Sequence, residues 1–507
     1  MIVLALALLL SGCLGGAPLP LQPLSVAQPA TAYTWPAPVA YDGNGTARPV
    51  PADVVKGIEQ LVPGTGAEPN VGVTSKGSLF VTTLDQVRRS TDHGKTWKVV
   101  EDLVTPGAPL TDDQFGTSDP MMWVDAGTDR VFANQMHPAL LCTWMSWSDD
   151  DGNTWTERPL DCATPGLDHQ KVMTAPPPAT IPRAPGQYPS LVYMCVNKML
   201  DTGLGGLADG MGTSCMTSFD GGLSFPLERE VYVNDHLCSN INGHPAAFPD
   251  GTVALVLGNL GGTRCERPLT VVLSEDGGVT WSVRQCDPKL GQLEIDADIT
   301  VTPDGTAYLL YRDHDEMTHL LRSKDKFQTC QSFRVAPPGQ TLDEFTAITS
   351  GADGRLAMAY VGTRDPQDPG ASPSNATLGS AWHLFVTTVD DAESASPTFV
   401  TTQVTPNEDP VQVGCIWLEG GGGGPHGCRN LLDFIDMVHD KDGRWYVAFT
   451  DGCVPRNGCA GNVADVVGGQ SRERQVGVAV QVSGPSLTGK GDVAPLDLAP
   501  PMPLPRD

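Results

Sequence analysis

The chain has 507 residues, enough for one large repeat fold or for two or three average domains. Its 56 glycines and 44 prolines favour a turn-rich all-β protein, and no long stretch carries the 3.6-residue periodicity of an amphipathic helix. With 59 acidic against 32 basic residues the net charge is −27, which argues against nucleic acid as a partner and suits solubility outside the cell.

Met1 to Cys13 is a short apolar run ending Leu10-Ser11-Gly12-Cys13. It is too short to span a bilayer as a helix. Its ending resembles the bacterial lipobox. The resemblance implies a signal peptide over residues 1–13, lipidation of Cys13, and a chain exported and anchored to the cell membrane on its extracytoplasmic face. Residues 14–55, rich in Pro, Ala and Gly, read as a tether. A domain then covers residues 56–485, followed by a Pro-rich tail over 486–507. Thirteen cysteines less Cys13 leave twelve, an even number that suggests up to six disulfides in an exported chain. Neighbour pairing (142–162, 195–215, 238–265, 286–330, 415–428, 453–459) would staple loops within or between adjacent sheets, although spacing does not settle connectivity.

Between tether and tail an eight-residue turn recurs. Ser90-Thr-Asp92-His-Gly94-Lys-Thr96-Trp97 returns as Ser148-Asp-Asp150-Asp-Gly152-Asn-Thr154-Trp155 and as Ser218-Phe-Asp220-Gly-Gly222-Leu-Ser224-Phe225. It returns again as Ser274-Glu-Asp276-Gly-Gly278-Val-Thr280-Trp281, with a decayed copy running from Ser323 through Asp325 and Thr329 to Cys330. The chemistry suits a hairpin: Ser and Asp side chains bond turn N–H groups, Gly supplies positive φ, and the aromatic ring covers a sheet face. The spelling S-x-D-x-G-x-T-W is that of the Asp-box, and through it the chain resembles the sialidase-like β-propellers. The resemblance implies a propeller with these hairpins at its periphery, where their Asp residues are structural.

A second repeat is strand, Gly turn, strand. It turns at Lys76-Gly77, Asp250-Gly251, Asp304-Gly305, Asp353-Gly354 and Asp442-Gly443, followed by short apolar strands such as Thr306–Tyr311 and Arg444–Phe449. A polar residue stands just before each first strand: Glu68, Asp119, Asp168 with His169, His244, Asp296 with Asp298, Glu344, and Asp433. These seven marks predict seven four-stranded blades over about residues 60–485, or six if one mark belongs to a long loop.

In a propeller the starts of the innermost strands converge on one mouth of the central channel. The marks therefore predict a ligand-binding ring of Glu68, Asp168, His169, His244, Asp296, Asp298, Glu344 and Asp433, with Asp119 among them. Crowded carboxylates raise one another's pKa or recruit a cation; the alternative is that each caps the backbone of its own blade. No cofactor is required, and a calcium ion among the carboxylates stays open.

The sialidase resemblance implies three arginines that grip a sugar carboxylate, the first in a Phe/Tyr-Arg-Ile-Pro motif. The matching stretch here is Gly66-Ala67-Glu68-Pro69, with Ala67 in place of the arginine and Glu68 in place of the isoleucine. An anionic sugar would meet a carboxylate where it needs a guanidinium. Arg264, Arg312 and Arg364 are the substitutes available; Tyr311 beside Arg312 is the nucleophile candidate and Asp119 the acid candidate. Three functions follow. The first is a membrane-anchored propeller that binds a glycan or protein ligand at an acidic mouth. The second is an exo-acting glycosidase of sialidase type, and the third a scaffold for assembling a membrane complex.

Overall fold

A computed structural model describes residues 33–64, 66–104, 117–137, 142–162, 166–199, 211–232, 239–261, 268–293, 296–373, 380–414, 416, 431, 433–453 and 474–500. The protein is an all-β propeller, and among the described residues there is no helix. Six of its sheets are four-stranded antiparallel blades. The first runs outward through Val71–Val73, Leu79–Thr83, Gln86–Ser90 and Lys98–Asp102. The next four open on the innermost strands Ser118–Val124, Leu167–Ala175, Ser239–Ala247 and Asp298–Val301.

The sixth sheet has seven strands. It runs from Leu342–Ser350 through Leu356–Thr363 and Ala381–Val389 to Thr398–Gln403. Gln412–Val413 pairs with Ala381–Val389. Val39–Asp42 and Ala47–Arg48 extend its outer edge. The last blade is Asp436–His439, Trp445–Asp451 and Gln475–Ser483, with the N-terminal Lys56–Leu61 as its outermost strand. The innermost strands neighbour one another in chain order, and Asp436–His439 lies against Val71–Val73. The circle thus closes by pairing the two ends of the chain, Ile58 opposite Val480.

Burial follows from this arrangement. Strands covered by blades on both faces are apolar throughout, as in Ala307–Arg312, where every residue is buried. Outermost strands face water, and Thr156–Glu157 and Arg158 are exposed. The core lies between blades, with Trp382 and Trp445 fully buried.

One expectation about the termini is corrected. The stretch 14–55 is not all tether: Val39–Asp42 joins a sheet edge, because Tyr41 buries its ring there and hydrogen-bonds Thr401 Oγ1 at 2.6 Å. The described part of the tail carries no strand, yet it packs against the propeller. Leu487 and Val493 are buried, and the Leu487 N–H donates to the Gly443 carbonyl at 3.0 Å. Cys13 lies outside the described residues.

Each recurring turn joins the third and fourth strands of a blade. Asp92 accepts from Thr96 N (2.9 Å) and Thr96 Oγ1 (2.7 Å), and Ser90 Oγ accepts from Gly94 N (2.9 Å). Asp150, Asp220 and Asp276 repeat the pattern. The decayed copy keeps it too. Asp325 accepts from Thr329, and Phe327 N donates to Ser323 Oγ with Phe327 itself at φ 62°. Cys330, at the aromatic position of that copy, is disulfide-bonded to Cys286. Cys142–Cys162 and Cys195–Cys215 are the other described pairs. Cys453 is also disulfide-bonded, whereas Cys238, Cys265, Cys415, Cys428 and Cys459 lie outside the described residues.

Candidate functional site at the channel mouth

The marks before the innermost strands share a backbone feature. Glu68, Asp119, His169 and Phe345 have φ of 49°, 43°, 44° and 57°, in the left-handed region that side chains disfavour. Pairing slips beside three of them, between Ser118 and Met121, Asp168 and Lys171, and Glu344 and Thr346. Such bulges re-aim side chains and gather near functional sites.

One register position ties blades together. Asn70 Oδ1 accepts from Met122 N at 3.0 Å, Asp298 Oδ2 from Ile348 N at 2.7 Å, and Asp436 Oδ2 from Val71 N at 2.9 Å. Asp298 and Asp436 also cap the N–H of their own following residue, at 2.7 and 2.8 Å. The capping alternative thus holds for these two carboxylates, across blade junctions as well as within a blade.

The same two acids belong to a buried charge cluster in the throat. Lys171 Nζ lies 2.5 Å from Asp296 Oδ2, with both side chains buried. His244 Nε2 lies 3.4 Å from that oxygen, and its Nδ1 lies 3.6 Å from Asp298 Oδ1 and 3.9 Å from Asp436 Oδ1. Burial opposes a charged His244, but Asp298 and Asp296 outweigh it, and its pKa is pushed up to about 9. Burial raises Asp298 to about 7, with help from Asp436. Burial raises Asp436 as well. Asp296 runs the other way. Burial opposes its ionisation, yet Lys171 and His244 prevail and hold it well below the usual carboxylate range. Beyond the cluster lies a cavity of about 380 Å³ lined by all seven innermost strands, from Val71 and Met121 to Ile348 and Met437.

A second group gathers Asp119, His169 and Asp433, from three different blade junctions. His169 N donates to Asp119 Oδ2 at 3.3 Å, and Gln170 Nε2 donates to the Asp119 carbonyl. His169 Nε2 is 3.7 Å from Asp433 Oδ2, and its ring meets Phe434 edge-on at 5.9 Å. A third group is Arg312, 3.0 Å from Glu344 and paired also with Glu316. Glu68 is buried beside Pro69, and Asp168 caps His169 N at 3.1 Å.

The structure separates Tyr311 from Arg312. Neighbours on one strand point to opposite faces, so Tyr311 enters the apolar core between the fourth and fifth blades, its hydroxyl 2.9 Å from Ser332 Oγ. Burial pushes its pKa far up, which opposes the phenolate a nucleophile needs. Arg312 pairs instead with Glu344 and Glu316. Arg364 lies over Phe385, 5.0 Å from the ring centre, and Arg264 is outside the described residues. Sequence reasoning missed Lys171, Asp436 and Glu316. The signal for the first two was a single charge inside an apolar strand, as in His169-Gln170-Lys171-Val172-Met173 and Phe434-Ile435-Asp436-Met437-Val438.

No protein-family model matches the chain, and no curated protein matches it. Solved structures do. A protein of unknown function from Dyadobacter fermentans is 14% identical, with 85% of this chain and 99% of that one covered at a TM-score of 0.41. An α-L-arabinofuranosidase of Fusarium graminearum, solved with arabinobiose, is 14% identical over 60% of this chain and 92% of its own, with a TM-score of 0.41. The intramolecular trans-sialidase of Ruminococcus gnavus is 12% identical over 82% and 94%, with a TM-score of 0.39.

Proposed function

We propose that this chain is an exported, seven-bladed propeller, anchored through a lipidated Cys13, that binds an uncharged glycan at the mouth of its central channel. The observation that carries the reading is convergence. Carboxylates and imidazoles from separate blades gather in two groups, Asp119 with His169 and Asp433, and His244 with Asp296, Asp298 and Asp436, and His244, Asp298 and Asp436 line a cavity that the innermost strands enclose. Such groups exchange hydrogen bonds with sugar hydroxyls and repel a sugar carboxylate. The blade count is supported by seven innermost strands that neighbour one another in a closed circle, the inner four strands of the sixth sheet serving as its blade. The hydrogen bonds at Asp92, Asp150, Asp220, Asp276 and Asp325 support reading the turns as Asp-boxes.

The second reading is a glycosidase, and Asp298 favours it. With its pKa near 7 beside His244 it is a carboxyl able to donate a proton at neutral pH. Binding ranks above it because Tyr311 is committed to the core and Arg312 to two carboxylates. The test is a glycan array carrying neutral and sialylated sugars, run beside fluorogenic sialoside and neutral aryl glycosides. Retention of neutral glycans, weakened by Asp168→Ala and without turnover, is expected. Turnover of any of these substrates, or retention of sialylated glycans alone, overturns it.

A further inference from the structure

The groups at the mouth are not equivalent as ligand sites. Around His244 the carboxylates of Asp298 and Asp436 already receive backbone N–H groups, and the Lys171 ammonium stands at Asp296. A further cation there would meet positive charge. In the group of Asp119, His169 and Asp433, Asp119 also accepts a backbone N–H, that of His169, but the imidazole faces one carboxylate and one carbonyl. One ligand atom from each lies within 4.8 Å of the others. His169 is 1% exposed, and its Nδ1 lies 3.4 Å from the Asn242 carbonyl, which can only accept a hydrogen bond. That contact places the proton of the neutral ring on Nδ1 and leaves a lone pair on Nε2. Nε2 is buried and has no hydrogen-bond partner. It faces Asp433 Oδ2 at 3.7 Å, beyond hydrogen-bond length. A buried lone pair aimed at carboxylate oxygens is costly unless something positive lies between them.

We propose that Asp119, His169 and Asp433 bind one divalent cation of the zinc or manganese class at the channel mouth. Bonds of about 2.0–2.1 Å in tetrahedral geometry set ligand atoms about 3.3 Å apart. The separation between His169 Nε2 and Asp433 Oδ2 needs to shrink by only a few tenths of an ångström to reach that. An imidazole with two carboxylates is a donor set for borderline metals, whereas calcium takes six to eight oxygens. The Asn242 carbonyl holds the imidazole in its ligating tautomer, the role that outer hydrogen bonds play at metal histidines. Three protein ligands leave a coordination position open at the mouth, where a sugar hydroxyl can bind.

The test uses the full chain stripped with a chelator and titrated with zinc and with cobalt(II), without glycan, so its outcome is separate from that of the glycan reading. One equivalent is expected to bind, the cobalt form showing visible d–d bands and the zinc form melting higher. His169→Gln and Asp433→Asn are each expected to weaken binding by at least about 100-fold, since even outer-shell changes cost 10–100-fold. The peripheral Asp92→Asn is expected to bind as the unaltered chain does. Should His169→Gln fail to fold, Asp433→Asn carries the comparison, because it keeps the side chain's shape. No bound equivalent in the unaltered chain, or undiminished binding in the folded variants, overturns the proposal.

Discussion

Replacing Lys171 by Met removes the ammonium from Asp296 and keeps most of the side-chain volume. Both groups are buried and 2.5 Å apart, and breaking such a pair from one side costs about 3–5 kcal/mol because the remaining charge is stranded. Here the lower end applies, since His244 stands 3.4 Å from the same carboxylate oxygen and stays protonated to about pH 9. Unfolding entropy is about 2.1 cal/mol/K per residue, so the unit Tyr33–Asp507 carries about 1 kcal/mol/K. A loss of about 3 kcal/mol then lowers Tm by about 3 °C at neutral pH. Lys171→Met with Asp296→Asn removes both charges and is expected to recover most of that loss, a coupling of at least about 2 kcal/mol. Differential scanning calorimetry of the parent, both single variants and the double variant completes the cycle. A single variant that melts with the parent, or a double variant as destabilised as the two singles summed, refutes the reasoning.

The throat also sets a pH dependence. His244 has a folded pKa above its ordinary value, so its contribution is full below about pH 6.5 and is lost as pH rises through about 9; His244→Gln should flatten Tm across that window, and an unchanged slope would count against the cluster. Glu59 and Asp451 are both raised, first by burial, to which the charges of Asp451 and Asp409 add at Glu59 and that of Asp409 at Asp451. Their stability is present at acid pH and fades as pH rises, and Glu59→Gln, which keeps a hydrogen-bond donor at every pH, should hold Tm up under alkaline conditions where the parent falls. The turn glycines should differ among themselves. A Cβ on Gly152 would come within 2.7 Å of Phe80 in the preceding blade, whereas on Gly94 the nearest atom is 3.6 Å away. Both sit at positive φ, so Gly94→Ala should cost about 1 kcal/mol and Gly152→Ala about 3 kcal/mol in urea titrations. Equal costs would show that the inter-blade contact carries no weight.

Much of this architecture could be read from residues. The Ser-x-Asp-x-Gly hairpins stand out because each needs its side-chain acceptors and its left-handed residue at fixed offsets, and even the copy without glycine keeps the bonds through Phe327. The marks before the inner strands are visible for a similar reason, since Asp119, His169 and Phe345 occupy one bulge position repeated by blade. Pairing between distant segments was not legible. That Val39–Asp42 edges the sixth sheet and Lys56–Leu61 closes the last blade depends on partners about 360 and 420 residues away, which no local pattern encodes.

Site chemistry was hidden by the same limit. Tyr311 and Arg312 are adjacent in sequence, but the strand sends one into the core and the other to Glu344. Lys171 sits two residues beyond His169, and a lysine in an apolar strand has no meaning until its counter-ion is known to lie on another blade. Propeller geometry makes such partners near neighbours: Asp296 is 125 residues further along the chain yet within hydrogen-bond reach of Lys171. The throat charges therefore serve two ends at once. Asp298 and Asp436 hold blade junctions through Ile348 and Val71; Asp298 also raises the proton affinity of His244, and His244 in turn works against the burial that raises Asp436. Asp436 thus stands at both places, 3.9 Å from His244 in the charge cluster and bonded to Val71 N at the seam where the circle closes.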